Sequence, residues 1–202
     1  MILNRDLFPP LFKEVRRVRE TLETYCLAGD AIPLPKDNIK YAIEQEYDVK
    51  IDVYMVPLDS GMLRGEIEIY DKRSIIYIDS YLNSAWTRYV FTKEACHHLL
   101  INADFTTDNP VKLIEYFVLD EKEIDGETLE PLDVQSESLT KFAAIELLFP
   151  YEMRLICKKE VEAGEKSTYE ISEHFDIPEH LVQYALSDLY MNFAKWTWNK
   201  LN

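Results

Sequence analysis

The sequence predicts an α+β fold: a small antiparallel sheet, a central helix packed on it, and a helical C-terminal half. Two observations carry this. Between Val49 and Asp79 the apolar residues alternate or run β-branched, the period-two pattern of strands. On either side of that stretch they recur at three- and four-residue spacing, the pattern of amphipathic helices. A third observation sets the scale. At 202 residues the chain suits one domain, or one domain with a small helical appendage, since domains cluster at roughly 100–200 residues.

The elements follow in order. After Pro9-Pro10, Leu11, Val15, Val18, Leu22 and Tyr25 share one face, with Lys13, Arg16, Arg17 and Arg19 mostly elsewhere, so a first helix runs to near Gly29 with a solvated basic face. Pro33 and Pro35 mark a linker, and Asp37 is placed to cap a short helix from Asn38 to Tyr47. Three strands come next: Val49 to Val56, Gly65 to Tyr70, and Ser74 to Asp79. Asp59-Ser-Gly-Met and Asp71-Lys-Arg-Ser supply turn chemistry between them. After Asn83 the chain is helical. Ala85 to Ile101 predicts a buried helix and Val111 to Leu119 a shorter one. Asp120 to Gln135, acidic and holding Gly126 and Pro131, predicts an exposed loop. Ser136 to Phe149 closes at Pro150, and Tyr151 to Ala163 ends at Gly164.

Composition narrows the functions. With 22 Lys+Arg against 37 Asp+Glu the formal charge is −15, which repels phosphate backbones and argues against nucleic acid as a partner. Cys26, Cys96 and Cys157 are odd in number and far apart, so they set up no disulfide framework, and a reducing, cytoplasmic setting is expected. No apolar run approaches the ~18 residues that a membrane span needs, and the start of the chain has no signal-peptide pattern, so no membrane association is expected.

Histidines are scarce, at positions 97, 98, 174 and 180 only. His97 and His98 are adjacent on the central helix and diverge by about 100°, so they do not share a metal from one face. One turn before His97 stands Lys93, followed by Glu94, and Lys93-Glu94-Ala95-Cys96-His97 keeps the frame of the zinc-protease helix His-Glu-x-x-His. Cys96 points away from His97 and has no orienting third group, and His98 is expected only to pack or to face solvent.

The wider segment from Arg88 to Leu100, Arg-Tyr-Val-Phe-Thr-Lys-Glu-Ala-Cys-His-His-Leu-Leu, resembles the R-F-x-x-A-H-E-x-x-H-x-L-L segment of the ImmA/IrrE family of zincin-like metallopeptidases. The hairpin ending Ile75-Ile-Tyr-Ile-Asp resembles the strand preceding that helix. The stretch from Glu137 to Pro150 resembles the family's E-x-E-A-N-x-F-A-x-x-L-L-M-P helix, with Leu139 in place of its second Glu. The resemblance runs from about Ile32 to the C-terminus. It implies a zincin-like fold, a zinc site with His97 as second histidine and Glu137 as acidic ligand, Glu94 as general base, and Arg88 as an arginine near the start of the active-site helix. Zinc would be the cofactor of an active form. Glu146, nine residues beyond Glu137, falls on the opposite helix face and is expected to be an exposed or structural carboxylate.

Lys93 replaces the first zinc histidine. A protonated lysine has no lone pair, and catalytic zinc usually has only three protein ligands. An ammonium here could instead stand roughly where the cation would be and neutralise Glu94 or Glu137 by a short charge-assisted contact, leaving an organised, metal-free pocket.

The C-terminal segment reads as helix, tight turn at Asp176-Ile-Pro, helix, with Ser167 and Glu170 as a capping box. It resembles a helix-turn-helix, but from Glu165 to Asn202 three Lys face six Asp+Glu, and Pro178 to Phe193 holds no Lys or Arg. A packing module is therefore expected. Tyr190, Phe193, Trp196 and Trp198 form a terminal aromatic cluster that fits core closure or homo-oligomer formation. The expected division is 1–30 as an N-terminal helix, 31–163 as the zincin-like part and 164–202 as the packing module. The expected function is that of a catalytically impaired metallopeptidase relative that binds another protein, in regulation or mobile-element biology, with no cofactor. The alternative is an active metal-dependent peptidase cleaving a repressor-like protein substrate.

Overall fold

A computed structural model describes residues 7–25, 32–58, 64–101 and 132–201. The expected helix at Val111–Leu119, most of the acidic loop and the turn from Asp59 to Met62 lie outside the described residues. Within them the chain is α+β and mostly helical.

Helix α1 (Phe8–Tyr25) turns Phe8, Leu11, Phe12, Val15, Val18 and Leu22 inward. Its prolines fall in the first turn, where a missing N–H costs nothing. Its basic face is tied down within the fold. Arg17 reaches Glu46 at 2.7 Å, Arg19 lies 4.0 Å from Glu152, and the Arg16 guanidinium lies 4.8 Å from the centre of the Trp198 ring. Helix α2 (Lys36–Tyr47) has Pro35, not Asp37, at its N-cap position and no side-chain cap, and Asp37 sits in its first turn. It ends at Asp48, in the left-handed conformation.

The strands are β1 (Lys50–Val56), β2 (Gly65–Ile69) and β3 (Arg73–Asp79), in the order β1-β3-β2. The expected antiparallel sheet is instead mixed, because β3 pairs antiparallel with β2 but parallel with β1. Burial explains the order. β3 alternates most cleanly, with Ser74, Ile76 and Ile78 buried, so it takes the centre. β1 carries Lys50 and Asp52 and suits an edge, where the Glu44 carboxylate accepts from the Ile51 N–H at 2.8 Å.

Helix α3 (Ser84–Ala95) starts at Asn83, whose side chain accepts from the Trp86 N–H at 3.0 Å. The single helix expected to reach Ile101 is interrupted at Cys96, and α4 (His97–Ile101) follows. Helix α5 (Leu132–Leu148) begins inside what the sequence predicts as loop. Helices α6 (Tyr151–Glu162), α7 (Thr168–Phe175), α8 (Glu179–Leu186) and α9 (Asp188–Leu201) complete the described chain. Phe193 packs on Phe8 and Phe142 at 4.5 and 4.9 Å, so the C-terminal aromatics close the core against α1 and α5. Residues from α1, the sheet, α3, α5 and the C-terminal helices belong to one hydrophobic cluster. No described helix is long and apolar enough to cross a membrane.

Candidate functional site

Helix α3 is the axis of the site. From Arg88 to Ala95 every residue is buried, because the sheet covers one side and α5 another. Gly65 sets how closely the sheet approaches. A methyl group there would come within 2.3 Å of Val90 Cγ1 and 3.4 Å of Glu94 Cγ. Only a residue without a side chain lets the start of β2 lie directly on the turn that carries Glu94. A glycine opening a predicted strand is the sequence signal for such a contact.

Lys93 and His97, four apart across the Cys96 break, meet Glu137 of α5. Lys93 Nζ lies 2.7 Å from Glu137 Oε2, as a hydrogen bond, and 3.0 Å from Glu94 Oε1. His97 Nε2 lies 3.3 Å from Glu137 Oε1 and 3.6 Å from Glu94 Oε2. Four of the five residues singled out from the sequence thus converge. The ammonium stands between the two carboxylates. Glu94 Oε1, His97 Nε2 and Glu137 Oε1 are buried without a hydrogen-bond partner among the described residues. Their mutual approaches are electrostatic contacts without hydrogen-bond alignment. Burial pushes the Glu137 carboxyl up, but His97 and the Lys93 charge oppose it and bring it down to about 2.

Arg88, the fifth residue, lies apart from this cluster. Its guanidinium donates to the carbonyls of Leu34 (2.8 Å), Phe175 and Asp176 (2.8 Å), tying the linker and the α7–α8 turn to α3. Burial pushes it down to about 10, with the Asp176 charge opposing. Five residues before Lys93, it points about 140° away around the helix, so it is a structural clamp. His98 is packed: its Nε2 lies 2.9 Å from Ser74 Oγ, its ring stacks on Tyr47, and burial with the neighbouring His97 pushes it down to about 4. Burial pushes the Cys96 thiol up, the opposite of an activated nucleophile. Glu146 is a structural carboxylate. It is buried, accepts from the Tyr151 N–H at 2.8 Å and pairs with Arg154 at 2.5 Å.

The donor set does not fit a catalytic zinc. His97 and Glu137 are two ligands where such a site takes three, and the third position holds a cation that cannot ligate. Among the described residues no group of three or more His, Cys, Asp or Glu side chains is arranged to hold a metal.

In the helix-turn-helix-like segment the capping box is formed. Ser167 Oγ accepts from the Glu170 N–H at 3.2 Å, and Glu170 accepts from the Ser167 N–H at 2.8 Å. The turn at Asp176 is left-handed. Helix α8 buries Leu181, Val182, Ala185 and Leu186, stacks His180 on Trp86 at 4.8 Å and sets Tyr184 under Lys141 at 4.3 Å.

No family model matches the chain, and no curated protein matches it. The family resemblance rests on the residues quoted above.

Proposed function

We propose that this chain is a metal-free relative of the ImmA/IrrE zincin-like metallopeptidases that acts by binding another protein, in regulation or mobile-element biology. The observation that carries the reading is the Lys93 ammonium, 2.7 Å from Glu137 and 3.0 Å from Glu94. It holds a positive charge against the carboxylates that the resemblance assigns to a metal ligand and to the general base. Lys93 neutralises these two carboxylates and joins α3 to α5. With no water-activating metal, Glu94 has no reaction to serve as base, and the retained feature is shape. The resident protein is cytoplasmic in this reading, its partner is a protein, and the α7–α8 unit packs instead of reading DNA. The inward-facing, cation-free α8 supports that last point.

The test is bound zinc in the natural protein and in Lys93→His, both purified without added metal. The expected result is near-absence in the first and near-stoichiometric zinc in the second, since the variant restores three ligands. Near-stoichiometric zinc in the natural protein would overturn the proposal in favour of an active peptidase with Glu94 as base. Absence of zinc from both would overturn the alignment of the helix.

A further inference from the structure

Helices α2 and α3, and α4 through His98, meet the sheet on the face bearing Ile51, Ser74, Ile76 and Ile78. On the opposite face no described residue of the three strands is buried. The register lays out that face in rows. Tyr54 pairs with Tyr77 and Tyr77 with Glu66, while Asp52 pairs with Ile75 and Ile75 with Glu68. The two tyrosines stack at 6.0 Å with Tyr54 48% exposed. Glu68 accepts from the hydroxyls of Tyr70 (3.0 Å) and Tyr77 (3.3 Å), which fixes both rings beside a carboxylate.

The charges on this face do not balance. Its two cations, Arg73 and Lys50, both engage Asp52, at 2.7 and 3.8 Å. Among the described residues no ion pair joins Glu66 or Glu68 to a cation of this face, while Asp79 caps the end of β3 by accepting from the Leu58 and Tyr81 N–H groups at 3.5 and 3.2 Å. Fixed aromatic faces beside such carboxylates match one chemistry, a basic side chain that lies over a ring while pairing with an acid. A second copy of the chain would set these carboxylates against themselves, and a nucleic acid would set phosphates against them. The overall charge of −15 adds a field that draws a basic partner in.

We propose that this outer sheet face is a docking surface for a lysine- or arginine-rich segment of a partner protein. It gives the protein contact proposed above a location and rests on that reading only to this extent, because the Lys93 cluster belongs to the other side of the sheet. The partner's cations lie over Tyr54 and Tyr77 and pair with Glu66 and Glu68, and rate and affinity both fall with salt.

Fluorescence anisotropy of a labelled oligo-lysine peptide with the full chain, at low and at physiological salt, tests this against an oligo-glutamate of the same length. The lysine peptide is expected to bind and the glutamate peptide not to. Glu66→Gln/Glu68→Gln should weaken binding about tenfold. Tyr54→Ala should weaken it several-fold, and Tyr54→Phe, which keeps the ring, should not. Glu165→Gln/Glu173→Gln removes the same charge from exposed positions on and just before α7 and should leave binding unchanged. Equal losses in the two double variants would overturn the proposal in favour of attraction to net charge alone, and so would failure of the natural chain to bind the lysine peptide. Neither outcome alters the zinc measurement that tests the Lys93 reading.

Discussion

Helix α5 carries a carboxylate at each end of its buried length. At the C-terminal end Glu146 uses both oxygens, one on the Tyr151 N–H and one on Arg154, with the guanidinium 4.9 Å from the centre of the Tyr190 ring. Towards the other end Glu137 bonds Lys93 through one oxygen, while its second oxygen and His97 Nε2 face each other unbonded. The first arrangement closes the α5–α6 corner around Pro150 and engages both oxygens of its carboxylate, and the atoms left buried without a partner among the described residues, Arg154 Nε and Nη1, are on the cation. The second leaves an oxygen of the carboxylate itself unpaired, together with Glu94 Oε1 and His97 Nε2, at the place where the resemblance puts a metal. Native proteins rarely leave such atoms unpaired, and those they do leave call for a reason. On the proposed reading a lysine standing in for a cation supplies one: it balances charge without reproducing a metal's coordination geometry.

The largest expected effect is at the closed end. Arg154→Ala leaves Glu146 charged and buried, and should cost roughly 3–5 kcal/mol in urea unfolding. Lys93→Met removes the cation at the open end, where Glu137 retains some exposure, and should cost less, about 1–3 kcal/mol. If Lys93→Met proved the costlier of the two, the open end would be the main structural clamp and the contrast would fail.

Acid should separate the ends further. The Glu137 carboxyl is held down to about 2 in the folded chain, below the ~4.3 of an unfolded glutamate. Its contribution to stability is therefore complete above about pH 4.3 and is lost as pH falls towards 2. His98, held down to about 4 by burial, acts in a higher window, losing its contribution as pH falls from about 6.5 through 4. Unfolding free energies measured every half pH unit should drop through both windows in the natural protein. Lys93→Met should narrow the lower window without abolishing it, because His97 also holds Glu137 down, and should leave the upper one. A lower window of unchanged slope would show that Lys93 does not hold Glu137 ionised.

Part of this was legible in the sequence. Position 93 announces itself because one residue breaks a spaced pattern, and the capping box at Ser167 is local chemistry. Strand order was not legible. The parallel β1–β3 pairing depends on which strand can bury both neighbours' edges, a property of three segments together. The contacts of Arg88 were not legible for a related reason, since its partners Leu34, Phe175 and Asp176 are remote in sequence. Glu146 and Arg154 are eight residues apart, yet a turn at Pro150 makes them neighbours, and helical periodicity says nothing about a turn's far side.

Gly65 offers a smaller, local test of the open end. Gly65→Ala forces Val90 or β2 to move and should cost about 1–3 kcal/mol, in the range of overpacked cores. Gly65→Ala/Val90→Ala should recover part of that loss, because the clash is with Val90 Cγ1. No recovery would place the strain on the Tyr77 carbonyl, 3.3 Å from the same point.

The smallest effect is expected at Tyr190, beside the closed end. Its ring packs on Phe142 at 4.9 Å and faces the Arg154 guanidinium, while its hydroxyl is buried with no hydrogen-bond partner among the described residues. If the ring is what Arg154 needs, Tyr190→Phe keeps it and removes only an unsatisfied group, so unfolding free energy should change by no more than about 0.5 kcal/mol. Tyr190→Leu removes the aromatic face and should cost more, by about the 0.5–2 kcal/mol of a cation–π contact. A loss in Tyr190→Phe as large as in Tyr190→Leu would mean that the hydroxyl belongs to the ion pair. The Glu146 end would then be a three-membered hydrogen-bonded network instead of a carboxylate and a guanidinium seated among rings.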